Sequence, residues 1–135
     1  MKLHVQVVTP EKTILDTQAD EVIIPTTAGE IAVLPRHIPL VSQIAPGALT
    51  IKHGTTIDHI ALMGGFLDIG NNKVTILADY AVHAKDISAA KAQEAKERAE
   101  RKMKEKTSGD EFKVAQEEFM KAILELKVAR KRGSA

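Results

Sequence analysis

The sequence predicts a β domain followed by a pair of helices, and three observations carry that prediction. All five prolines fall within residues 1–85, and only Gly109 and Gly133 of the eight glycines lie beyond them. Apolar residues in the first 85 alternate with polar ones or run in short bursts between turns, as strands require; beyond Asp86 they recur at three and four residues, as helices require. The second stretch is almost wholly Ala, Glu, Lys, Arg and Gln with a few large apolar residues, too short to build a core of its own. The expected division is therefore residues 1–85, a sandwich or flattened barrel of eight to ten short strands, and residues 86–135, an antiparallel helical hairpin.

In the first part, Leu3, Val5 and Val7 alternate with His4 and Gln6, the period of a half-buried strand that Thr9-Pro10 ends. Ile14-Leu15 opens the next run, and Val22-Ile23-Ile24 follows before Pro25. Thr27-Ala28-Gly29-Glu30 reads as a turn before the apolar strand Ile31–Leu34. Pro35 and Pro39 forbid helix at Arg36-His37-Ile38, which is expected to cross between sheets. Pro46-Gly47 turns into Leu49 and Ile51, and His53–Thr56 turns again into Ile57–Leu62. Gly64-Gly65 suggests a bulge or a close backbone approach ahead of Phe66, Leu67 and Ile69. Gly70-Asn71-Asn72-Lys73 is a hairpin signal leading to Val74–Leu77.

In the second part, Asp86 or Ser88 can cap a helix reaching about Lys106, with a narrow stripe of Ala92, Ala95, Ala99 and Met103. Thr107–Asp110 reads as a turn, with Asp110 as the next cap. Phe112, Ala115, Phe119, Ala122, Leu126 and Ala129 then follow a 3-4-3-4-3 spacing, widened by Met120, Ile123, Leu124 and Val128. Alanine stripes bury little area, so at about 25 cal/mol per Å2 the hairpin gains far less than a leucine-packed pair would. The second helix also carries more apolar surface than the first can cover. Two readings stay open from the residues alone: a fixed hairpin, or a loosely held movable arm.

Composition excludes several functions. There is no Cys, so no disulfide or thiolate chemistry. Three Phe and one Tyr are too few for stacking platforms. No apolar run approaches the roughly 18–20 residues that span a bilayer, and the first residues read as a strand rather than a signal peptide, which predicts a soluble cytoplasmic protein able to dock on a membrane complex. Histidines 4, 37, 53, 59 and 83 lack metal-ligand spacing; Gly64-Gly65 precedes no helix; Ser42, Ser88 and Ser108 lack a nucleophile elbow; the acids form no pair. No catalytic residue and no metal site is expected. The net charge of +1 hides a split, with −2 over residues 1–85 (6 basic, 8 acidic) and +3 over 86–135 (13 basic, 10 acidic). The excess includes Arg130-Lys131-Arg132, which suits a solvated helix end and its dipole, or alternatively a grip on nucleic acid. An enzyme using His37 or His59 is the weakest alternative.

The combined order is specific. It runs through Gly29-Glu30-Ile31-Ala32-Val33-Leu34-Pro35-Arg36-His37-Ile38-Pro39-Leu40, then Gly64-Gly65-Phe66-Leu67 and Lys73-Val74-Thr75-Ile76-Leu77-Ala78, then the Ala/Glu/Lys/Arg hairpin. Over almost its whole length the chain resembles the epsilon subunits of bacterial F-type ATP synthases. The resemblance implies a sandwich of about ten strands and a two-helix hairpin. It implies a non-catalytic rotor subunit in the central stalk of a proton-translocating enzyme, peripheral on the cytoplasmic face of the cell membrane. The implied partners are the gamma subunit, the c-subunit ring and the alpha/beta catalytic head, with no nucleic acid. It also implies that the hairpin, through a face including Phe119, Ile123 and Leu126, extends into the head to block ATP hydrolysis.

Glu30 and His37 match the family's loop region near gamma and the ring; Arg36, in the same loop and expected on the same rotor interface, departs from the commoner Gly, as Ala32 does from another. Some family members bind regulatory ATP through Ile/Leu-Asp-x-x-Arg-Ala at the start of the first helix. The matching Ile87-Ser88-Ala89-Ala90-Lys91-Ala92 has Ser88 for the acid and Lys91 for the Arg. Arg98 keeps a further basic position, Lys121 replaces an Arg, and Glu125 has the wrong sign. No cofactor is required; regulatory ATP with Mg2+ is the one candidate ligand, at a depleted site where Lys85, Lys91, Arg98 and Lys121 are expected to converge.

Overall fold

The computed structural model describes residues 2–105 and 108–131. Ten strands form among them: β1 (Leu3–Val8), β2 (Thr13–Ala19), β3 (Glu21–Thr26), β4 (Gly29–Val33), β5 (Leu40–Gln43), β6 (Gly47–His53), β7 (Thr56–Leu62), β8 (Gly65–Gly70), β9 (Lys73–Ala78) and β10 (Ala81–His83). A 3-10 turn at Ala84–Asp86 leads to α1 (Ala89–Lys104) and α2 (Gly109–Lys131). The strands make two five-stranded sheets, ordered β2-β1-β9-β8-β5 and β10-β7-β6-β3-β4. Pairing is antiparallel except between β1 and β9.

The alternation read in the sequence is the alternation of burial. Leu3, Val5 and Val7 of β1 are fully buried beside Leu67, Ile69, Val74 and Ile76 of the same sheet, and Leu49, Ile51, Ile60 and Leu62 face them from the other sheet. Asn71 (φ 52°) and Asn72 (φ 58°) make the β8–β9 turn with both central residues left-handed, which a tight hairpin requires. The 34–39 segment carries the chain from β4, at the edge of one sheet, to β5, at the edge of the other, as the prolines predict.

Two local expectations are corrected, and β3 runs on beyond Ile24. Pro25 lies inside the strand, opposite Glu30 of β4, but β6 pairs only with Glu21, Val22 and Ile23, so the missing N–H falls where no ladder bond is needed. Glu30 accordingly belongs to β4 rather than to the turn, which is Thr27-Ala28. The cap of α2 is Ser108, not Asp110: its Oγ accepts the Glu111 N–H at 3.3 Å and its carbonyl accepts the Phe112 N–H at 2.9 Å, while Asp110 sits in the first turn beside the positive helix end. Of the two candidate caps of α1, Ser88 serves, accepting the Lys91 N–H at 3.2 Å. That helix ends at Lys104; Lys106, Thr107 and Arg132 lie outside the described residues.

The helices lie antiparallel, with Ala92 and Ala99 of α1 and Ala115 and Ala122 of α2 buried, so the alanine stripes form the seam. Leu124, Val128 and Ala129 of α2 pack in a small cluster with Ala61, Ala84 and Ile87, flanked by Ala48, Met63 and Val82. The hairpin therefore rests on the outer face of the β6–β7 sheet. Alanines at 48 and 61 admit a helix close to the sheet, and the same small side chains limit the area buried.

Candidate functional site

Two surfaces and one cleft hold the residues singled out by the sequence. At the first surface, Glu30 is exposed on the edge strand β4, Arg36 is exposed and His37 half-buried. The His37 N–H donates to the Leu34 carbonyl at 3.1 Å, closing a turn with Pro35 and Arg36 at its centre. Arg36 has φ 70°, the left-handed backbone that the second central position of a type II turn requires and that Gly adopts without cost. The turn survives without Gly because the Arg36 N–H donates to Asn72 Oδ1 at 2.5 Å, tying the loop to the β8–β9 turn. The His37 ring donates from Nδ1 to the Ile38 carbonyl at 2.7 Å.

Beside this loop stands an apolar surface that the sequence reading missed. Ile38 is 75% exposed and Val41 72%. On the outer face of the same sheet Phe66 pairs across strands with Leu77, and Leu77 with Val8, a row whose first two members are more than half exposed. The signal was present: Leu67 and Ile76 are the buried neighbours, so period-2 alternation turns Phe66 and Leu77 outward.

The cleft lies between hairpin and sandwich and has a volume of about 590 Å3. Lys91, Arg98 and Lys121 all line it, as expected from their sequence positions; Lys85, on the 3-10 turn, does not. Lys102 joins them, and Asp86, Glu118 and Glu125 oppose them, so four cations meet three carboxylates. Tyr80, which sequence reasoning did not single out, is the hinge of the cleft's polar contacts. Its hydroxyl donates to Glu125 Oε1 at 2.7 Å, and the Lys121 ammonium sits 3.9 Å from its ring centroid. Burial, then the Glu125 hydrogen bond and charge, push the Tyr80 phenol well above its ordinary pKa.

On the second surface, the outward side of α2, Ile123 is 41% exposed while Phe119 and Leu126 are half-buried. Phe112 and Met120 extend this exposed apolar surface.

Several histidines are engaged locally. His4 pairs with Asp16. His83 accepts the Lys85 N–H at Nδ1 and meets Asp58 through Nε2 at 3.1 Å. Burial, then Lys131 at the end of α2, hold the His59 imidazole below its ordinary value. Among the described residues no group of three or more His, Asp or Glu side chains is placed to hold a metal, and no helix is long and apolar enough to cross a membrane.

This is the architecture of a two-part protein, a β-sandwich with a regular helical hairpin docked on one sheet. The profile described as ATP synthase, Delta/Epsilon chain, beta-sandwich domain matches residues 2–84, and that of the long alpha-helix domain of the same chain matches residues 85–130. The chain belongs to the ATP synthase delta/epsilon chain family. It is 41% identical over 128 residues to the ATP synthase epsilon chain of Halalkalibacterium halodurans, covering 94% of this chain and 96% of that one. It is likewise 41% identical over 130 residues to the ATP synthase epsilon chain of Syntrophobacter fumaroxidans, covering 96% and 97%. Its fold is similar to a chain in the cryo-EM structure of Euglena gracilis mitochondrial ATP synthase, OSCP/F1/c-ring (TM-score 0.74, 23% identity, 99% of this chain and 82% of that one). A chain of the central stalk/c-ring of Tetrahymena thermophila mitochondrial ATP synthase is similar at TM-score 0.64 and 15% identity, over 96% and 97% of the two chains.

Proposed function

We propose that this chain is a non-catalytic rotor subunit of a proton-translocating ATP synthase, coupling gamma to the c-subunit ring and restraining ATP hydrolysis through its hairpin. The sandwich of residues 1–85 is the rotor-binding unit and residues 86–135 the regulatory unit. In the assembled enzyme it lies on the cytoplasmic face of the bacterial cell membrane, held there by its partners. The observation that carries the reading is the separation of two apolar surfaces. One, with Ile38, Val41, Phe66 and Leu77, lies on the sheet opposite the hairpin; the other is the outward side of α2. A chain with solvent-facing apolar groups on two independent sides fits between partners.

Glu30, Arg36 and His37 border the first surface and are its contacts to gamma and the ring. Glu30→Ala and His37→Ala are each expected to weaken coupling or assembly in the reconstituted complex while leaving the melting temperature of the isolated chain nearly unchanged, because their side chains support little of the core. A large loss of melting temperature would make them structural residues instead.

The cleft supports a regulatory ligand only weakly. A triphosphate needs converging positive charge, and Lys91, Arg98 and Lys121 do converge. Three carboxylates share the lining, Lys121 is occupied with the Tyr80 ring, and Lys91 lacks the bidentate fork of Arg. Calorimetry with ATP and Mg2+ on the isolated chain is expected to show binding no tighter than the millimolar range. Micromolar binding would show that the motif acid and Arg are dispensable.

A further inference from the structure

We infer that Tyr80, Lys121 and Glu125 form a latch that holds the hairpin against the sandwich without any bound ligand. The inference rests on the proposed reading of the hairpin as a movable arm, and it concerns what keeps that arm down.

Tyr80 belongs to the sandwich, in the short link between β9 and β10. Lys121 and Glu125 are four residues apart on α2, so they project from one helix face a turn apart and take one ring from two sides. The carboxylate accepts the phenol hydroxyl at 2.7 Å, a charge-assisted bond. The ammonium lies 3.9 Å from the ring centroid, within cation–π range. The ring is half-buried, which strengthens both interactions relative to open water.

The apolar seat next to the latch is modest. Leu124 and Val128 are its larger members on α2, and they meet Ala61, Ala84 and Ile87. With so little area to hold the helix, a paired hydroxyl and cation on one ring make a large share of the docking free energy. The latch is also well placed to open as a unit. Lifting α2 breaks both contacts at once and returns the carboxylate, the ammonium and the phenol to water, so no unpaired charge is left buried.

Native-state hydrogen exchange on the full-length chain tests this. Tyr80→Phe keeps the ring and removes the hydroxyl; it is expected to speed exchange of α2 amides between Ala122 and Ala129 about fivefold, the worth of one net hydrogen bond. Glu125→Ala should do the same, although Ala favours helix over Glu, so weakened helix propensity would not explain it. The double variant should exchange about fivefold faster than the parent rather than about twenty-fivefold, since each single change already removes the shared bond. Unchanged exchange in Tyr80→Phe, or multiplied effects in the double variant, would overturn the latch. So would equal loss of protection at Val5 and Val74 in the sandwich core, which would make Tyr80 a support of the sandwich. The measurement needs no partner subunit. A complex whose ATP hydrolysis ignores the hairpin would therefore sink the inhibitory reading and leave the latch standing.

Discussion

Removing residues 86–135 is expected to raise ATP hydrolysis by the assembled complex several-fold without dissociating the sandwich from gamma. Among the described residues, the hairpin's hold on the sandwich includes a small apolar cluster around Leu124 and Val128 and the Tyr80 contacts. Its outward side leaves Phe112, Met120 and Ile123 between 40% and 50% exposed. An element docked over so little area, with a second apolar side unpaired, reaches its undocked state at modest cost, and a partner that binds the undocked state draws it there. The apolar part of the proposed gamma-binding surface lies on the opposite sheet, and Glu30 stands on β4, the far edge strand from the β6–β7 seat of the hairpin, so the deletion leaves the surface intact. The sandwich core of β1, β6, β7, β8 and β9 owes nothing to the helices. Hydrolysis rates of complexes reconstituted with full-length and shortened chains, each checked for retained gamma, give the answer. Equal rates would place the restraint on hydrolysis in another subunit.

Much of the fold was legible because the two parts use different periods. Leu3-Val5-Val7 and Val74-Ile76 announce strands with one buried face, and Ala92, Ala95, Ala99 with Ala115 and Ala122 announce a close helix seam; both patterns reappear as burial. What the sequence could not show was pairing. Pro25 looks like a stop until β6 is seen to pair only as far as Ile23. Arg36 looks like a departure from Gly until Asn72, 36 residues away, is seen to hold its left-handed backbone. The candidate site was legible in part for the same reason. Lys91 and Arg98 share a helix face by spacing alone, but the closeness of Tyr80 to Lys121 and Glu125 depends on how α2 crosses the sheet. Nothing local to Tyr80 encodes it.

Gly65→Ala is expected to destabilise the sandwich by about 4 kcal/mol or more, among the largest effects a single methyl group can have. Gly65 has φ 119°, a backbone that L side chains rarely adopt, and a Cβ there would lie 2.1 Å from the Leu77 carbonyl oxygen and 2.8 Å from the Ala78 Cα. Those neighbours are backbone of β9, the strand paired on its two sides with β8 and β1, so no side-chain rotation can make room. Either the β8–β9 ladder opens at this end or the whole strand shifts. Gly29→Ala supplies the control: Gly29 has φ 116° but no atom within 4 Å of the added Cβ, so that variant carries backbone strain alone, about 1–3 kcal/mol. Urea unfolding followed by far-ultraviolet circular dichroism compares the two, and the loss at Gly65 should exceed the loss at Gly29 clearly. Against a total margin of about 5–15 kcal/mol, Gly65→Ala would leave much of the chain unfolded at moderate temperature. The damage would reach function directly. Gly65 sets the start of β8, and the next residue, Phe66, pairs with Leu77 on the outward face proposed to meet gamma. A variant that folded with near-parent stability would show that the β8–β9 edge can yield by more than an ångström, and the surface carried on that edge would then be adaptable rather than fixed.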